Sequence, residues 1–136
     1  LNKNSVLNML LQYLSDILCH ECFIGELLTL IAGTGYEPRF FGLLQARLQI
    51  LSAYGLRSTV AKEFEPLSDG LYSMHLAGKD FNIRIIYAFL PNRQPVLLSA
   101  FHERGGKRKT DYTNHIPEAR TRFSKIRKDY DDGKKK

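Results

Sequence analysis

The chain has 136 residues, 43% hydrophobic and 25% charged, a size and balance that suit one globular domain with a buried core. Its formal charge of +6 is uneven: residues 1–100 hold eight Lys/Arg against eight Asp/Glu, and residues 101–136 hold twelve against six. That layout points to a polyanionic partner. It argues against a membrane protein, because the most apolar stretch, 6–31, is broken by Asp16, His20, Glu21 and Glu26, whereas a bilayer span needs about 20 nearly uncharged residues.

Asn4 or Ser5 can cap a first helix, in which Leu7, Leu10, Leu11, Leu14 and Leu18 recur at three and four to form an apolar stripe. Residues 23–31 are apolar and end at Gly33-Thr34-Gly35, which suits either a helix with a glycine stop or a buried strand. The spacing predicts a helix over 38–54 with Phe41, Leu44, Leu48 and Leu51 inward and Gly55 as its stop. Three strands follow, at 71–77, 82–89 and 96–102, joined by linkers short enough for hairpins. A basic loop over 102–109 leads to a last helix with Pro117 near its start, running to about Tyr130, and residues 131–136 form a flexible basic tail. Cys19 and Cys22 are too few for a disulfide framework and suit a reducing cytoplasm. With His20 and Glu21 they make only half a metal site, so no metal or cofactor is expected. Lys3 is the only early cation, and no signal-peptide cleavage pattern follows it.

Alternation places Tyr72, Met74, Leu76, Ile83, Ile85, Tyr87 and Phe89 on a core face, with Ser73, His75 and Arg84 on the other. A two-residue loop at Lys79-Asp80 would set His75 opposite Arg84. A three-residue loop at 92–94 would pair 84 with 102 and bring His102 to the other side of Arg84. Metal-independent RNA cleavage needs a base for the ribose 2′-OH, cations for the phosphorane and an acid for the leaving oxygen. His75 and His102 suit the proton transfers, Arg84 and Arg104 the phosphate, Lys107, Arg108 and Lys109 the RNA backbone, and Tyr112 a stacked base. Each also has a plain reading: a surface histidine, an ion-paired arginine, solvated lysines or a core tyrosine.

Leu71-Tyr72-Ser73-Met74-His75-Leu76, Asn82-Ile83-Arg84-Ile85-Ile86-Tyr87-Ala88-Phe89 and Val96-Leu97-Leu98-Ser99-Ala100-Phe101, with a basic loop and Ile116-Pro117-Glu118-Ala119 after them, resemble the blocks of the RelE/HigB toxins of the RelE/ParE superfamily. The likeness covers about residues 38–130. It implies a small α+β fold, with an antiparallel or mixed-edge sheet of three to four strands packed against N-terminal helices and a C-terminal helix. The implied domain covers 1–130, with 1–35 an atypical helical extension. It implies the toxin of a type II toxin–antitoxin system, a cytoplasmic, ribosome-dependent mRNA endoribonuclease that inhibits translation. Its implied partners are the ribosome, mRNA and a helix-turn-helix antitoxin bound in a hetero-oligomer. The same superfamily holds ParE-like gyrase inhibitors, and a non-catalytic member is a third reading. Arg84 falls on the family's strand arginine, whereas His75 replaces another arginine, Ser73 a glutamate, and Glu103-Arg104 a common pair of lysines.

Overall fold

The computed structural model describes residues 1–134, which form an α+β fold of four α-helices and a five-stranded sheet. Helix α1 spans Lys3–Tyr13 and is capped by Asn2, whose side chain accepts from the Ser5 amide at 2.8 Å. The cap is therefore neither Asn4 nor Ser5. Val6, Leu10 and Leu14 face the core, while Leu11 is 48% exposed and Leu18 belongs to the next element, so the expected leucine stripe is turned. That element is a two-residue strand, β1 (Leu18–Cys19), which no alternation could have announced.

Residues 23–31 resolve as a helix, α2 (Phe23–Ile31), followed by α3 (Glu37–Tyr54). Glu37 ties the intervening turn by accepting from the Gly33 amide at 3.1 Å. Phe40, Phe41, Leu44 and Leu51 point inward, and Gly55, at φ +53°, ends α3 in a conformation that suits glycine. A 3-10 turn at Gly55–Val60 leads to β2 (Phe64–Pro66), a short edge strand, and then to β3 (Tyr72–Ala77), β4 (Asn82–Phe89) and β5 (Pro95–His102). The sheet order is β1-β5-β4-β3-β2, antiparallel except for the β1–β5 pair.

Both faces of the sheet are covered. Met74, Leu76, Ile83, Ile85, Tyr87 and Leu97 pack against α1, α2 and α3. Ile86, Ala88, Leu98 and Phe101 pack against the last helix, α4 (Arg108–Lys134). This is why β4 is buried at six consecutive positions instead of alternate ones.

Helix α4 starts nine residues before Pro117 and continues through the expected tail to Lys134; residues 135–136 of that tail lie outside the described residues. Tyr112, Ile116, Ala119, Phe123, Ile126 and Tyr130, spaced by three and four, form the stripe it lays on the sheet. That stripe overrides the proline, which sits inside the helix at the cost of one backbone donor. Arg108 and Lys109 thus belong to the first helical turn and not to a loop.

Candidate functional site

The β3–β4 hairpin pairs Ala77 with Asn82 and sets His75 directly opposite Arg84. The β2–β3 pairing sets Glu65 opposite Ser73. Because side chains alternate, Glu65, Ser73, His75, Asn82 and Arg84 share the face that α4 covers. At this end of the sheet the helix contributes Arg108 and Tyr112, and the loop from β5 contributes Glu103.

These groups form one charged network. Arg84 donates from Nε to Glu103 Oε1 at 3.1 Å, and its Nη1 lies 3.5 Å from Glu65 Oε1. Its side chain is 9% exposed and that of Glu103 11%, so the pair is buried instead of lying on an open face. Asn82 donates from Nδ2 to Glu103 Oε2 at 2.9 Å and also contacts His75 Nε2. Glu65 Oε1 collects Arg108 and the Tyr112 hydroxyl, the latter at 2.8 Å, and Ser73 bonds the same hydroxyl at 2.7 Å.

The proton equilibria follow from these contacts. Burial pushes the Glu65 carboxyl up, but hydrogen bonds from Arg108 and Tyr112 and the charges of Arg108 and Arg84 outweigh it and hold its pKa below the ordinary value. Tyr112 is pushed up, chiefly by burial. The hydrogen bond to Glu65 raises the Arg108 pKa further.

Tyr112 is only 9% exposed. The Arg84 and Arg108 guanidiniums lie 5.9 and 5.7 Å from its ring centre, and Phe101 meets it edge-on. Little ring surface is left for a base, so the expected stacking role gives way to one of holding Glu65 in place.

His102 is not on this face. It pairs with Ile83, and Arg84 pairs with Phe101. Two departures cause this. The hairpin closes one residue early, with Leu90 donating to Gln94 and Arg93 at φ +70°. An extra residue, Leu98, then bulges out of β5 between the Tyr87–Leu97 and Ile86–Ser99 pairs. The loop change alone would have kept the face; the bulge flips it.

His102 instead accepts from the Asn82 amide at 3.3 Å and lines an open cleft of about 530 Å³ with Glu26, Arg104, Asp111 and His115. His115 stacks on Phe101, with centroids 4.1 Å apart. Arg104 is held by Asp111, which accepts from its backbone amide at 2.9 Å and from Nη2 at 2.7 Å. Those hydrogen bonds hold the Asp111 carboxyl below its ordinary pKa.

The arginines in and beside the expected basic loop are therefore internally matched. Arg84, Arg104 and Arg108 face Glu65, Glu103 and Asp111, three charges against three. Lys107 and Lys109 are exposed and make no ion pair among the described residues. Sequence reasoning missed Glu65, Glu103, Asn82 and His115. Asn82 shares Arg84's alternation, which could have revealed it, whereas Glu65 lies on a strand too short to show a period.

Elsewhere the chain offers less chemistry. A groove between α1, α3 and the β4–β5 hairpin has two charged groups, Asp16 and Arg93, in its lining. Among the described residues no three His, Cys, Asp or Glu side chains group as a metal site. The half-buried Cys19 thiol is pushed up to about 12 by desolvation, and His20 accepts from the Cys22 amide at 3.1 Å. Among the described residues, no helix is long and apolar enough to cross a membrane. No family model, curated protein or solved structure matches the chain.

Proposed function

We propose that this chain is a ribosome-dependent mRNA endoribonuclease, the toxin of a toxin–antitoxin pair, acting without a metal through the ribose 2′-OH. One observation carries the reading: Glu65, His75 and Arg84 stand on three adjacent strands with their side chains on one face. A carboxylate, an imidazole and a guanidinium are the groups this reaction needs.

In that reading Glu65 removes the 2′-OH proton, and Arg84 and Arg108 stabilise the phosphorane. His75 then gives a proton to the departing 5′ oxygen. At rest Glu65 is a weak base because both arginines are bound to it; a phosphate that takes the arginines raises its basicity. Lys107 and Lys109 supply nonspecific attraction to the RNA backbone. The site works in the cytoplasm on the ribosome, and a small antitoxin covers it when silent.

The test is to induce the protein in cells and map mRNA 5′ ends, with Arg84→Ala and His75→Ala as controls. New ends inside reading frames that vanish in both variants are expected. Unchanged transcripts, or trapped gyrase–DNA breaks in their place, overturn the nuclease. A second reading has a specific observation in its favour: the charge of Arg84 is already matched by Glu65 and Glu103. A non-catalytic RNA binder of this fold would bind ribosomes and leave transcripts uncut.

A further inference from the structure

Glu103 has an unusual place for a carboxylate beside a phosphate-reading arginine. Its two oxygens are divided between two donors on β4, Oε1 taking Arg84 Nε at 3.1 Å and Oε2 taking Asn82 Nδ2 at 2.9 Å. A phosphodiester presents two non-bridging oxygens that such a pair of donors can hold in the same way. The two acidic residues also differ in how they are held. Glu65 sits within a strand paired to β3, whereas Glu103 lies one residue past the end of β5, its amide still donating to the Asn82 carbonyl at 2.7 Å, and two residues before Gly105-Gly106. Gly106 has φ +73°, and a Cβ at either glycine would meet nothing within 4 Å. The Glu103 side chain, at the strand end, can thus turn outward while its amide keeps the bond to Asn82.

We propose that Arg84 Nε and Asn82 Nδ2 form a two-donor phosphodiester seat, and that Glu103 is its internal occupant, displaced when RNA enters. The inference rests on the RNA-binding part of the reading above, not on cleavage. Glu103 leaves Arg84 for solvent, the phosphate takes both donors, and the charge of Arg84 stays matched throughout. Asn82 becomes a substrate-binding residue, and wild-type affinity is reduced by the fraction of molecules in which Glu103 is seated.

The probe is a short fluorescein-labelled oligouridylate with 2′-O-methyl groups, which cannot be cut, followed by fluorescence anisotropy. Glu103→Gln is expected to bind it about tenfold more tightly than the wild type, as expected for loss of a charged hydrogen-bonded competitor. Asp80→Asn removes the same charge from the exposed Arg39 pair, and it should change affinity by no more than about twofold. Adding Arg84→Ala to Glu103→Gln should abolish the gain. Equal gains in Glu103→Gln and Asp80→Asn, or a gain that survives Arg84→Ala, overturn the proposal.

A measurement on the unmodified chain guards against a variant that folds poorly. The Arg84 Nε–H and Asn82 side-chain amide resonances should both shift as the oligonucleotide saturates, and two unmoved resonances overturn the seat. Tighter binding by Glu103→Gln with no new mRNA ends keeps the seat and removes the nuclease. New ends with unaltered binding do the reverse.

Discussion

Arg122 of α4 grips Glu26 of α2 through both terminal nitrogens, at 2.8 and 2.7 Å, and the first of them also donates to the Leu98 carbonyl at 2.8 Å. Glu26 in turn accepts from the Ala100 amide at 3.4 Å. Strand β1 pairs with β5 only at Val96 and Leu97, so this ion pair answers backbone groups that the short edge strand leaves unpaired. It also joins the two helical layers across the sheet edge, and the hydrogen bond to the Glu26 carboxylate raises the Arg122 pKa.

Arg122→Ala should therefore destabilise the fold by about 2 kcal/mol, since it leaves a partly buried carboxylate and a strand carbonyl without their donor. Arg122→Lys should recover only part of the loss, because an ammonium cannot make the paired contact. Urea unfolding of the three proteins measures both effects.

Arg84→Ala should cost about 3 kcal/mol, because it strands Glu65 and Glu103 in a site built around one guanidinium. The double variant Arg84→Ala/Glu103→Gln should be more stable than Arg84→Ala alone. An equal or lower midpoint for the double variant in chemical denaturation would show that the two residues are not coupled.

Acid should loosen the start of α4 first. The folded pKa values of Glu65 and Asp111 lie below their ordinary values of 4.5 and 3.8. Their contribution is complete above those values and is lost as pH falls through the lower folded ones. Thermal midpoints should drop below about pH 4, and Glu65→Gln together with Asp111→Asn should flatten that drop. A slope unchanged by the two substitutions would place the acid-sensitive groups elsewhere.

Tyr112→Phe removes one hydroxyl that serves both Ser73 and Glu65. The loss should be about 1–2 kcal/mol, because the Ser73 hydroxyl stays buried without its partner. The Glu65 pKa should rise, which a carboxyl NMR titration reads directly.

Pro117→Ala should raise the melting temperature, because it restores a backbone donor inside a 27-residue helix whose apolar stripe already fixes its position. No gain in the melting temperature would mean that the proline ring contributes packing equal to the donor it lacks.

Residues 72–77, 82–89 and 95–102 alternate or run apolar between turn residues, and that pattern alone was enough to place three strands and to set His75 against Arg84. Helix α3 was legible for the same reason, with a proline near its start and Gly55 at its end. The stripe from Tyr112 to Tyr130 was present too, but Pro117 suggested a later helix start than packing against the sheet requires. Strands β1 and β2, two and three residues long, exist only because a neighbouring strand offers them hydrogen bonds, and no local pattern reports that. The bulge at Leu98 decided the face of His102, and the pairing of Arg84 with Glu65 and Glu103 decided that its charge is buried and balanced. Local side-chain period is written in the chain; register across a bulge and the company a buried charge keeps are set by contacts between distant segments.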